Sequence, residues 1–208
     1  MNKKPRYWSK AIKTLSKKDY VMGKLILKYK DKTLTTRGDL FYSLCKSIIG
    51  QQISVVAANS VFKKFLKACN SKINPSRVAI LSVTKLKKCG LSRLKIKGIK
   101  ELAKKFKNKS FNPNKIKKLT DEQAISYLSN LRQIGRWSAE MILIFNLNRP
   151  NIWPIQDIGL LRAISNNYKK KYHPPKSFLK NLKKKFTPYC TVATWYLWRS
   201  IDDEPIQY

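Results

Sequence analysis

Apolar residues recur at spacings of three and four along most of this chain, and no stretch of convincing length alternates every second residue. The pattern predicts helices joined by short polar breaks. Between Lys10 and Tyr29, Ile12, Leu15, Val21, Leu25 and Ile26 mark two short helices about a turn near Ser16. Lys30 to Asp39 is a polar connector, and Asp39 is placed to cap a helix over Leu40–Ile49 with Phe41, Leu44, Cys45, Ile48 and Ile49 as its buried stripe. Gly50-Gln51-Gln52 interrupts the pattern, and Ser54 can cap the next helix, Val55–Ala68. A helix over Pro75–Lys87 turns Val78, Leu81 and Leu86 inward. Cys89-Gly90-Leu91-Ser92 reads as a C-cap glycine followed by a new N-cap, and Arg93–Phe106 repeats Ile96, Ile99, Leu102, Ala103 and Phe106 at helical spacing. Lys107 to Asn114 is a loop, and Thr120 with Gln123 has the spacing of a capping box for a helix running to about Asn130.

The next stretch carries the chemistry. Leu131 to Gly135 is a short polar segment, and Gly135 can supply the positive φ a tight turn needs. Arg136-Trp137-Ser138 leads into Ala139–Leu147, where only Glu140 and Asn146 are polar, so a buried helix is predicted. Asn148-Arg149-Pro150 stops it. Asp157 follows, a lone acid among Trp153, Pro154, Ile155 and Ile158. The last helices fall at Leu160–Tyr168, Ser177–Phe186 and Cys190–Ile201, with a break at His173-Pro174-Pro175. The order is helix, hairpin turn, helix, loop, acid, in an all-α chain. The N–H groups that open the second helix make a natural seat for a phosphate. Asp157 has two readings on this basis, a helix cap or a catalytic carboxylate.

Charge changes the picture from fold to partner. Lys and Arg number 45 against 11 Asp and Glu, a formal net charge of +34. So basic a surface points to a polyanion, most simply nucleic acid. Part of the lysine excess travels with abundant Asn and Ile, a trait of composition rather than of a site. Hydrophobic residues make up 43%, enough for a packed core and too many for a disordered chain. The four cysteines, Cys45, Cys69, Cys89 and Cys190, are far apart with no C-x-x-C pair, and His173 is the single histidine, so neither zinc nor any metal held by side chains is expected. Only Cys190 lies near the C-terminus, which argues against an iron–sulfur cluster there. No apolar segment follows the basic MNKKPRYWSK start, and no apolar run spans a bilayer, so a protein that is not secreted is expected, in the cytoplasm or nucleoid, or the nucleus of a eukaryote.

These motifs resemble the helix-hairpin-helix DNA glycosylases, and within them the 3-methyladenine DNA glycosylase II branch. Gly135-Arg136-Trp137-Ser138-Ala139-Glu140-Met141 resembles that branch's G-x-W-T-A-E-M run. Arg149-Pro150, Trp153-Pro154, Asp157 and Gly159-Leu160 resemble its Pro-rich loop and catalytic acid. Phe41, Leu44, Ile48-Ile49-Gly50-Gln51-Gln52-Ile53-Ser54 and Ala57-Ala58 are similar to a third segment. Cys89-Gly90-Leu91-Ser92 with Lys95, and Pro188-Tyr189 with Tyr196-Leu197-Trp198-Arg199, extend the likeness over roughly residues 8 to 202.

The resemblance implies a two-lobed helical fold with a cleft between the lobes. One lobe is residues 36–150 with the hairpin; the other is 1–35 and 151–208 with Asp157. It implies a monomer that binds double-stranded DNA holding a damaged base. Asp157 is the implied catalytic acid, and Gln52, with Gln51 beside it, the wedge that fills the duplex. Gln133, Ile134, Gly135 and Arg136 form the phosphate-binding hairpin. Trp137 and Trp198 match base-pocket positions, and Tyr189 is a further aromatic candidate. Relatives that attack the sugar with an amine carry Lys where Trp137 stands, so a monofunctional enzyme acting through water, without lyase activity, is implied. One carboxylate suffices for a cationic N3- or N7-alkylated purine, which leaves without a general acid and is held by aromatic faces. The implied reaction is excision of 3-methyladenine or 7-methylguanine in base excision repair. The rivals are a same-fold enzyme for oxidised or deaminated bases, a non-catalytic DNA-binding scaffold, and a basic RNA-associated protein. The chain departs from the family where G-[IV]-G reads Gln133-Ile134-Gly135, which bears on the alkali-metal ion that hairpin carbonyls can hold, and where Cys190 stands in place of an Arg.

Overall fold

Polar side chains at the breaks in the apolar pattern open the helices of the computed structural model, which describes residues 4–36 and 38–202. The elements are α1 (Trp8–Lys18), α2 (Tyr20–Lys28), α3 (Leu40–Gly50), α4 (Val55–Ala68), α5 (Pro75–Ile80), α6 (Val83–Lys88), α7 (Arg93–Lys107), a 3₁₀ segment (Pro113–Lys118), α8 (Asp121–Ser129), α9 (Arg136–Phe145), α10 (Ile158–Asn167), α11 (Lys176–Phe186) and α12 (Cys190–Arg199). Among the described residues there is no strand, and no helix is long and apolar enough to cross a membrane. Asp39, Ser54 and Ser92 accept the N–H groups of Tyr42, Ala57 and Lys95. Thr120 and Gln123 close both halves of a capping box on α8. Gly90 takes φ +93 after α6, as its place between two helices requires.

Two expected boundaries move, each for a local reason. The first two helices break at Asp19 rather than near Ser16, because Asp19 is extended and its side chain caps α2 through Met22 N–H. The helix expected over Pro75–Lys87 divides at Leu81, where the backbone extends and Ser82 caps α6 through Lys85 N–H. Val78, Leu81 and Leu86 are buried as their spacing predicts.

The chain divides into two compact units, residues 4–36 with 143–202 and residues 38–142, and the division falls inside α9. The outermost limits expected for the lobes, 1–3 and 203–208, lie outside the described residues. In the 38–142 unit, α7 packs against α3, α5 and α6. Phe41, Phe106, Phe111 and Tyr127 meet in succession at centroid spacings of 5.1, 5.0 and 5.0 Å, edge-on, tilted and stacked in turn. Cations here find helix carbonyls in place of scarce carboxylates. Arg77 donates to Cys69 and Asn70 O after α4, Lys100 to Ala79 and Leu81 O after α5, and Lys95 to Ile49 and Gln51 O after α3. A positive charge at a helix C-terminus is stabilising, so these contacts put part of the excess charge to structural use.

In the unit formed by 4–36 and 143–202, α12 is the hub, in contact with α1, α2, α10 and α11, and all ten of its residues are buried. Trp8 meets Trp195 edge-on at 5.2 Å and Tyr196 at 5.7 Å. Asp19 is 5% exposed and accepts from Met22 N–H at 2.9 Å, Tyr168 Oη at 2.9 Å and Lys185 Nζ at 2.6 Å. Burial raises its pKa, but the bonds from Lys185, Met22 and Tyr168 and the Lys185 charge outweigh this and hold it below the usual carboxylate value. A depressed carboxylate stabilises the fold above its unfolded pKa of about 3.9 and loses that stabilisation as pH falls through its folded value. Asp19→Asn keeps the cap and gives up the ion pair. At pH 7 the variant is expected to lose roughly 1–2 kcal/mol. In thermal melts its deficit against wild type should shrink as pH falls below about 4.

Candidate active site

Asp157 ends the loop after Pro154 and is the N-cap of α10. Leu160 N–H donates to its Oδ1 at 2.6 Å, and the indole Nε1–H of Trp198 donates to the same oxygen at 2.8 Å. The two sequence readings of this residue are therefore compatible: the carboxylate caps a helix and is also held by a side chain from α12. Asp157 is 8% exposed and Trp198 3%. Two features of this arrangement escape the sequence. Phe145, the last residue of α9, stacks on the Trp198 ring at 5.9 Å and 13°. Gly159 makes the approach possible, because a Cβ there would lie 3.1 Å from Asp157 Oδ1 and 3.6 Å from Trp198 Cδ1.

The loop that presents Asp157 is tied to the start of α12. Thr191 Oγ1 donates to Arg149 O and accepts from Ile152 N–H, and Thr191 N–H donates to Pro150 O. The anchoring role of Thr191 is not legible in the sequence, where a Thr inside an apolar helix is its only signal. Tyr189 lies just before α12, at its N-cap position. It is half-buried and stacks on Tyr7 at 6.4 Å and 20°. Trp198 lies in the last turn of α12, at the opposite end of the helix from Tyr189.

The remaining predicted residues gather in the 38–142 unit. Gln51, Ser129, Leu131, Arg132, Gln133, Ile134, Gly135, Trp137 and Ser138 line an open pocket of about 660 Å³. The hairpin's conformation corrects one expectation. The positive φ falls on Gln133, at +67, and not on Gly135. The turn keeps its left-handed residue where the family's first Gly would stand, at a cost of roughly 1 kcal/mol or more. Gly135 has another use. Nothing lies within 4 Å of where its Cβ would be, so a ligand can approach the backbone at the start of α9. Ile134 is buried at 3% and anchors the turn. Arg136 is engaged: it forms a two-bond pair with Glu122 at 2.8 and 2.7 Å, and its Nε meets Glu140 at 3.1 Å. Those carboxylates raise its pKa, Glu122 foremost, and the pairs fasten α8 to α9.

Gln52 is exposed at φ +55, at the tip of the turn between α3 and α4. Gln51 points the other way. Its Nε2 donates to Gln133 O at 2.6 Å and lies 3.4 Å from Ser138 Oγ. The hairpin oxygens Leu131 O, Gln133 O and Gly135 O each accept an N–H, so a cation ligated there would have to share them with these donors. They do not form a vacant set of ligands. Among the described residues no group of three or more His, Cys, Asp or Glu could hold a metal.

Residues 45–188, which contain the hairpin, Trp137 and Asp157, match the HhH-GPD superfamily of base excision DNA repair proteins. The chain belongs to this superfamily. It is 30% identical over 198 residues to the alkylbase DNA glycosidase-like protein mag2 of Schizosaccharomyces pombe, spanning 92% of this chain and 93% of that protein. Its fold is similar to the crystal structure of the DNA-3-methyladenine glycosidase of Bacillus halodurans, with a TM-score of 0.79, 26% identity and coverage of 91% and 88% of the two chains. It is also similar to the 3-methyladenine DNA glycosylase Mag1 of S. pombe in complex with abasic DNA, with a TM-score of 0.75, 26% identity and coverage of 92% and 96%. As a member of the superfamily the all-α chain is a base excision DNA glycosylase, and Asp157 stands within the matched region.

Proposed function

We propose that this HhH-GPD protein is a monofunctional DNA glycosylase that excises alkylated purines of the 3-methyladenine and 7-methylguanine kind. The observation that carries the reading is the buried Asp157 carboxylate, held on one oxygen by a helix N–H and an indole N–H. Loss of a base from deoxyribose builds positive charge at C1′. A fixed carboxylate nearby stabilises that charge in the transition state and costs no reorganisation when the reaction occurs. The glycosidic electron pair leaves with the purine, whose ring charge it neutralises, so no general acid is needed. Water adds to C1′ and loses a proton.

The chain's other residues fit the steps before chemistry. The basic surface draws the protein to the duplex, and phosphate rests on the open backbone at Gly135 and the start of α9. Gln52, exposed on its turn, enters the stack, and the base leaves it for an aromatic pocket to which Trp137 contributes a half-buried ring. No lysine stands at Trp137, so the sugar is attacked by water rather than an amine. Both the B. halodurans and the S. pombe structures are named for 3-methyladenine, in keeping with this substrate class.

The test is base release from methylated duplex DNA, with strand breaks scored before and after alkali. Wild type should release 3-methyladenine or 7-methylguanine, and strands should break only after alkali. Breaks without alkali would exclude the monofunctional mechanism. Salt-dependent DNA binding with no base released would leave a binding scaffold.

A further inference from the structure

One face of α7 touches both parts that are assigned to handle the duplex. Lys95, Gly98 and Glu101 recur every third residue along it. Lys95 Nζ donates to Ile49 O at 2.8 Å and Gln51 O at 2.7 Å, which closes the C-terminus of α3 and fixes the turn that carries Gln52. The Lys95 side chain is half-buried, and desolvation lowers its pKa from the ordinary lysine value. Gly98 seats the hairpin, for a Cβ on it would come within 2.9 Å of Gln133 Cγ and 3.3 Å of Gln133 Cβ. Glu101 pairs with Arg132 at 2.7 Å. The Gln51 side chain completes the circuit by its bond to Gln133 O.

We propose that Lys95 and Gly98 are positioning residues that lock the Gln52 turn and the phosphate-binding hairpin into one rigid piece, so that gripping the backbone and opening the stack occur together. The left-handed residues Gln52 and Gln133 are the two points the lock holds. Each is a strained position that persists only where surrounding contacts over-determine it. Lys95 and Gln51 supply those contacts on one side, and Gly98 and Glu101 on the other.

The proposal rests on the glycosylase reading, and the test separates the two. Release of 3-methyladenine is followed from a duplex and from the same methylated strand alone, with wild type, Lys95→Met, Lys95→Arg and Gly98→Ala. Lys95→Met is expected to slow release from the duplex at least tenfold and from the single strand less than threefold, because a lone strand presents no pairing to open. Lys95→Arg can reach two carbonyls and recovers most of the loss. Gly98→Ala favours the helix, so the protein stays folded, yet it displaces Gln133 and gives the same loss on duplex alone. Equal slowing on both substrates, or undiminished release from duplex in either variant, overturns the proposal. If wild type releases no base from either substrate, the glycosylase reading fails by itself. A 2-aminopurine beside the lesion then reports duplex opening without chemistry: loss of its fluorescence rise in both variants upholds the lock, and a rise kept in either overturns it.

Discussion

Asp157→Asn should abolish base release while leaving the fold almost untouched. Asn is nearly as good an N-cap as Asp, and its carbonyl oxygen can still accept from Leu160 N–H and the Trp198 indole. The thermal midpoint should therefore shift little, by no more than the equivalent of about 0.5 kcal/mol. The charge is removed, and one carboxylate oxygen becomes an amide NH2. If that charge acts where the sugar becomes cationic, as proposed, excision of 3-methyladenine from duplex DNA should fall on the order of 10³-fold or more. DNA affinity should hold or rise slightly, since the substitution removes a negative charge from a protein that binds a polyanion. A variant that still turned over within tenfold of wild type would remove Asp157 from the chemistry and leave it only as a helix cap.

Trp198→Phe is the second large effect. The ring's face against Phe145 is retained, and the Nε1–H that holds Asp157 is lost. A buried charged acceptor that loses a donor costs about 1–3 kcal/mol, which a chemical melt would record. Excision should slow by roughly 10–100-fold through misplacement of the carboxylate. The kinetic split identifies the role. A positioning residue gives a lower kcat with KM nearly unchanged, whereas a ring that stacks on the flipped base gives a higher KM. The 3% exposure of Trp198 and its bond to Asp157 favour the first outcome.

Much of the fold is legible because its signals are local. A Ser, Thr or Asp followed by an apolar stripe both names the cap and starts the helix, and Asp39, Ser54, Ser92, Thr120 and Asp157 all act this way. The apolar spacing puts this break near Ser16; the Asp19 side chain sets it by capping α2 through Met22 N–H, and its other partners, Tyr168 and Lys185, lie far along the chain. Part of the site is legible for a related reason. Reading Gly135-Arg136-Trp137 together with Asp157 locates hairpin and acid, since both depend on short segments whose residue types are constrained. The positive φ of Gln133 is not legible. A Gln beside a Gly gives no reason to put the strained residue first, and the space that accepts its side chain belongs to Gly98 on another helix.

By itself the sequence determined an all-α chain, its helix starts, a strongly basic composition, the superfamily's motifs and Asp157 as the candidate acid. These follow from periodicity, caps and composition, which operate over a few residues or over the whole chain at once. Only the tertiary structure decided which groups those residues meet. It gave Trp198, a base-pocket candidate on the sequence, the bond that holds Asp157, tied Arg136 to Glu122 and Glu140, and set Lys95 on the carbonyls behind Gln52. A hydrogen bond needs its donor and acceptor within about 3 Å along a defined direction. Residues distant in sequence reach that distance only once the core has packed.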